Sequence, residues 1–113
     1  MINHKNKKIV IIDDEFYFRQ SLIKILREES QRLGIEFVGD ANNGDTGYEL
    51  VRAQKPDIVL VDINMPGLDG LQLLEKLRSQ NVHCEMIIIS GYANFEYAKR
   101  AIPLGVNNYL LKP

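Results

Sequence analysis

Cysteine is almost absent from this chain. Cys84 stands alone, so no internal disulfide can staple the fold, and its place just before an apolar strand marks it as a small, partly buried filler rather than a reactive thiol. Histidine is nearly as scarce. His4 and His83 both read as exposed, and neither has a metal-ligand spacing to cysteine or to the other, which excludes the common zinc arrangements. Charge of one sign is missing too: a net charge of −1 leaves no concentrated basic face, so no direct nucleic-acid binding is expected of this segment. The "HKNKK" start reads as a solvated tail. Long apolar runs are also missing, and nothing approaches the roughly 18 residues of a membrane helix. The apolar run after the first lysines breaks at Asp13 and lacks a small-residue cleavage site. Neither a signal peptide nor a membrane contact is expected, and the expected compartment is the cytoplasm.

What remains is an ordinary globular composition, 45% hydrophobic and 26% charged, in 113 residues, which suits one domain spanning 1–113. Three short runs, "IVII" at 9–12, "IVLV" at 58–61 and "MIIIS" at 86–90, lack polar alternation. They predict strands buried on both faces, as in a parallel sheet. Phe18, Leu22, Ile25, Leu26 and Leu33 recur at helical spacing after the first run, and Gly34 can close that helix. "EFVGD" predicts a second strand. Residues 44–54 predict a shorter helix with Tyr48 and Val51 on one face, stopped by Pro56. Leu71, Leu74, Leu77 and Arg78 keep helical period after "GLDG", as do Phe95, Ala98 and Ile102 after a candidate N-cap, Asn94. "NNYLL" predicts a last strand. The order βαβαβαβαβ implies a doubly wound α/β fold with helices on both faces.

In such sheets ligands bind beyond the carboxyl ends of the strands. The residues there are Asp13, Asp14 and Glu15 after the first strand, Asp62 and Asn64 after the third, Ser90 and Gly91 after the fourth, and Lys112 after the fifth. Taken singly, Asp62 is more often a cap or turn residue, Ser90 a turn serine and Lys112 a surface lysine. Their coincidence on one face is another matter. Two carboxylates 4 Å apart repel by roughly 4 kcal/mol at an effective dielectric near 20, unless a cation or proton intervenes. A hard divalent cation such as Mg²⁺, which takes carboxylate and phosphate oxygens, is the natural occupant. Pro66, Gly67 and Gly70 in "NMPGLDG" supply turn geometry.

The motifs "IIDDE", "VLVDINMPGLDG", "IIISGY" and "YLLKP", in this order and at these separations, resemble the receiver domain of two-component response regulators over essentially the whole chain. The resemblance implies a flavodoxin-like (CheY-like) five-stranded parallel sheet of order 2-1-3-4-5. It implies Asp62 as phosphoacceptor from a sensor histidine kinase, Asp14 as a direct Mg²⁺ ligand, Asp13 as a ligand through water and Asn64 as a ligand through its backbone carbonyl. Lys112 would pair with the phosphoryl group, Ser90 would hydrogen-bond it, and Tyr109 matches the switch aromatic that moves with Ser90. Such a domain catalyses only its own phosphorylation and dephosphorylation and is no enzyme in the turnover sense. Gly91 leaves room for the phosphate, while Asn64 and Tyr92 flank the site and tune the phosphoryl lifetime. Phe16, Tyr92, Phe95 and Tyr97 read as core or face residues. "SGYANFEYAKRAI" with "YLLKP" further resembles receivers joined to AraC-type DNA-binding domains, which would make the parent protein a transcription regulator with DNA contact in a second domain.

Two departures from the family carry expectations. A receiver continues past Pro113 into a fifth helix, so without it apolar surface flanking the first and fifth strands should be exposed and covered by self-association or a swapped element. Pro103 lacks an N–H and pushes Ile102 from helical angles, so the fourth helix should end or kink early. The Lys112–Pro113 bond is cis in the family, and a free terminus relaxes that preference. Two alternatives are a haloacid-dehalogenase-type phosphohydrolase and a phosphate-blind interaction module. The first wants a carboxylate where Asn64 stands, and the second has no use for the retained Asp13, Asp14, Asp62, Ser90 and Lys112.

Overall fold

Strands rich in β-branched residues assemble the sheet, and their alternation decides which helix covers which face. The structure is a computed structural model that describes residues 6–91 and 99–112. Strands β1 (Lys7–Ile12), β2 (Ile35–Ala41), β3 (Ile58–Asp62), β4 (Glu85–Ser90) and β5 (Asn108–Leu111) form one parallel sheet of order β2-β1-β3-β4-β5. This is the flavodoxin-like order expected from the sequence.

Helices α1 (Phe16–Glu28), α2 (Ser30–Leu33), α3 (Gly44–Gln54) and α4 (Gly70–Ser79) connect the strands. Val10, Ile12, Val59, Val61, Met86 and Ile88 point to one face, where Tyr48 and Val51 of α3 and Leu71, Leu74 and Leu77 of α4 pack on them. Ile9, Ile11, Leu60 and Ile89 point to the other, against Ile23 and the half-buried Phe18, Leu22 and Leu26 of α1. Asn43 caps α3 by accepting from Thr46 N at 2.9 Å. Asp69 and Gln72 form a reciprocal capping box that starts α4.

The first helix differs from its sequence expectation. It is interrupted at Glu29, where the Ser30 hydroxyl donates to the Arg27 carbonyl and so competes with the helical ladder. Gly34, at φ 66°, closes the second piece. Ile25 and Leu33 are exposed rather than inward, because the stripe facing the sheet runs through Arg19 and Ile23. Large apolar residues are also exposed at Phe16 and Tyr17 on α1 and at Leu110 and Leu111 on β5. At Pro103, α-helical geometry stops with Ala101 and tightens into a 3-10 turn, Ile102–Leu104, closed by Gly105 at φ 75°. Asn94, Tyr92, Phe95, Tyr97 and the Lys112–Pro113 bond lie outside the described residues. No helix among the described residues is long and apolar enough to cross a membrane.

Candidate functional site

Each strand that ends near the sheet's middle delivers one polar group. Asp13 follows β1 and is anchored by its N–H, which donates to the Ala41 carbonyl at 3.0 Å. Asp62 is the last residue of β3, in register with Ile89. Ser90 ends β4 opposite Leu111, and the Lys112 N–H donates to the Ser90 carbonyl at 2.8 Å. Asp13, Asp62 and Ser90 are all buried. The rigid, paired strands behind them are what hold charges in so dry a place.

Lys112 is the centre of this group. Its ammonium lies 2.9 Å from Asp13 Oδ2, 2.9 Å from Glu15 Oε1 and 3.2 Å from Asp62 Oδ2, and it sits over the Phe18 ring. Burial pulls the ammonium toward neutrality, but hydrogen bonds to Glu15 and Asp13 and the charges of Asp62 and Asp13 outweigh it. Lys112 therefore titrates above the ordinary lysine value. Asp62 moves the other way from a normal carboxylate. Burial and the Asp13 charge push it up to about 6, against the Lys112 charge, the Lys112 hydrogen bond and the Asn64 N–H that donates to its Oδ1 at 3.2 Å.

A divalent cation suits these residues. Oxygens of Asp13, Asp14 and Asp62 lie within 4.8 Å of one another. Asp13 Oδ2 is buried and, among the described residues, is partnered only by the Lys112 ammonium at 2.9 Å, while Asp14 is exposed. All the donors are hard oxygens, the set that Mg²⁺ takes. The open side is a pocket of about 370 Å³ lined by Asp14, Glu15, Asp62, Asn64 and Gly91. A Cβ on Gly91 would meet none of the described residues within 4 Å. Gly70 is the opposite case: a Cβ there would sit 2.4 Å from the Asp62 carbonyl oxygen, so glycine is what lets α4 start directly beneath the site.

The residues singled out from sequence thus converge, with Asp13, Asp14, Asp62, Asn64, Ser90 and Lys112 at one end of the sheet. Tyr109 is half-buried on β5, in register with Ile88, two positions before Ser90, and on the face of the larger core. Three participants were missed. Glu15 was read only as one more acid in "DDE". Arg19 is buried, donating from Nη1 to the Asp13 carbonyl at 2.6 Å and from Nε to Asp40 Oδ2 at 2.8 Å; its position one turn before Ile23 was the available signal. Phe18 was read as core only. Cys84 is half-buried with its thiol pushed up by burial, in keeping with a filler.

A parallel sheet of order β2-β1-β3-β4-β5 with a lysine among carboxylates at its carboxyl end defines a flavodoxin-like α/β domain with an acidic site. Residues 9–113 match the family model of the response regulator receiver domain, and the chain belongs to that family of signalling domains. It is 42% identical over 106 residues to the transcriptional regulatory protein YesN of Bacillus subtilis, covering 94% of this chain and 28% of that protein. It is 35% identical over 112 residues to the nitrate/nitrite response regulator NarL of Escherichia coli, covering 99% of this chain and 50% of that one. The chain therefore spans half or less of these two relatives. Among solved structures, the receiver domain of the response regulator AraT of Geobacillus stearothermophilus superposes with a TM-score of 0.82 at 38% identity, covering 95% of this chain and 81% of that one.

Proposed function

We propose that this domain is a phosphorylation switch that takes a phosphoryl group onto Asp62 from a phosphohistidine of a sensor histidine kinase. The observation that carries the reading is the buried Lys112 ammonium, 3.2 Å from Asp62 Oδ2, with Asp62 itself lining an acidic pocket open to solvent. An Asp62 carboxylate oxygen attacks phosphorus, and the bond to the donor nitrogen breaks with its electron pair staying on the imidazole. Lys112 compensates charge on the transferring oxygens, so the protein's work is positioning and electrostatics. Asp13, Asp14, Asp62 and the Asn64 carbonyl would hold Mg²⁺, which supplies further neutralisation of the phosphoryl oxygens when bound.

The product brings nearly two negative charges beside Lys112 and Ser90. Ser90 turns toward the phosphoryl group, and Tyr109 takes up the space it leaves, biasing a two-state equilibrium of the face around β5. The names of YesN and NarL favour a transcriptional output. The parent protein would then carry a DNA-binding domain, of AraC type by the "SGYANFEYAKRAI" resemblance, in a cytoplasmic pathway; pairing of two copies through exposed apolar surface is part of the same reading. Incubation with Mg²⁺ and acetyl phosphate, followed by mass spectrometry, should yield a hydroxylamine-labile phosphate that Asp62→Asn abolishes. Multiple turnover of a phosphate ester would instead indicate a hydrolase, and no adduct an inert interaction module.

A further inference from the structure

We infer that Glu15 is a displaceable counter-ion that occupies Lys112 in the resting state and yields its place to the incoming phosphoryl group. The inference rests on the phosphoacceptor reading of Asp62. An ammonium has three N–H donors, and here three carboxylates stand within 3.2 Å of it. A phosphoryl oxygen on Asp62 can gain a Lys112 N–H only if one of the three lets go. Asp13 is 1% exposed and Asp62 3%, whereas the Glu15 side chain is 60% exposed. A carboxylate released into water is rehydrated at once, while one released inside the protein is left without solvation. Glu15 is therefore the partner that is cheapest to release.

Its local ties fit that role. Glu15 precedes α1 without capping it through its side chain. Its backbone is held, the N–H donating to Asp13 Oδ1 at 2.8 Å and the carbonyl accepting from Arg19 N at 2.9 Å. The side chain alone can swing away, and it already lines the pocket that the phosphoryl donor must enter. Glu15 is thus a positioning residue that acts through Lys112. It competes both with formation of the phosphoryl–Lys112 contact and with its persistence.

The test is the rate of Asp62 phosphorylation by acetyl phosphate at saturating Mg²⁺, and the lifetime of the product, in wild type, Glu15→Gln and Glu15→Asp. Glu15→Gln should phosphorylate faster by a factor on the order of three to five, the scale of one exposed ion pair, and its phosphoryl group should last longer. Glu15→Asp keeps the charge but is a methylene too short to reach Lys112, so it should behave like Glu15→Gln. A wild-type rate in Glu15→Asp beside a fast Glu15→Gln would assign the effect to general repulsion and overturn the inference. Equal or slower rates in both variants, with wild type labelled normally, would overturn this inference alone. A wild-type chain that takes no label on Asp62 overturns the phosphoacceptor reading and this inference with it.

Discussion

Two cations close opposite ends of the sheet, and they are satisfied in opposite ways. At the amino ends of the strands, Arg78 donates to four neutral carbonyls, those of Leu104 at 2.7 Å, Val82 at 3.0 Å, Gly105 at 3.2 Å and Cys84 at 3.3 Å. It lies in the last turn of α4, where a cation is favoured by the helix dipole. This end stitches together the turn after Pro103, the loop before β4 and the helix itself. At the carboxyl ends, Lys112 faces three carboxylates that outnumber it, two of them buried. The first arrangement is saturated and needs nothing further. The second is short of positive charge, and that shortage is what suits it to the divalent cation and the phosphoryl transfer proposed above.

The comparison is most sharply tested at Lys112. Lys112→Met should cost about 3–5 kcal/mol, because Asp13 and Asp62 are left buried without their partner; urea unfolding in Mg²⁺-free buffer measures this, and phosphorylation should fall to background. Arg78→Ala should cost about 2 kcal/mol through unpaired carbonyls, with the acetyl phosphate reaction close to wild type. Loss of phosphorylation in a folded Arg78→Ala protein would show that the two ends are not separable.

The pH dependence sharpens the charge shortage. Asp62 is raised from 3.8 to about 6 in the folded protein, so between those values the folded state binds more protons than the unfolded chain. Stability from this group is complete below 3.8 and lost as the pH rises through about 6. In Mg²⁺-free buffer, wild type should therefore lose stability relative to Asp62→Asn across that window, and added Mg²⁺ should restore it. The smallest effect belongs to Gly91→Ala, whose Cβ meets none of the described residues. Its melting temperature should match wild type, while the narrowed pocket slows phosphorylation.

Much of this was legible from the chain because parallel sheets buried on both faces leave an obvious signature. "IVII", "IVLV" and "MIIIS" became β1, β3 and β4 with small extensions at their ends, and residues 44–54 became α3 as read. Asp13, Asp62, Ser90 and Lys112 could be found since each stands where such a run stops. Glu15 could not be given a role, for nothing in "DDE" says that its carboxylate reaches a lysine 97 positions away. Arg19 hides for a related reason: its guanidinium is buried only because the Asp13 carbonyl and Asp40 arrive from two different strands to receive it. Ile25 and Leu33 misled because period alone does not say which side of a helix meets the sheet.

By itself, then, the order of residues determined the strands, the helices between them and which polar groups stand at the strand ends, since these follow from periodicity and turn chemistry along the chain. Tertiary structure alone decided how those charges share one another. Burial beside Asp13 raises Asp62, three carboxylates compete for one ammonium, and Arg78 finds four carbonyls at the far end. Each is a matter of distance and dielectric between groups that only the folded sheet brings together.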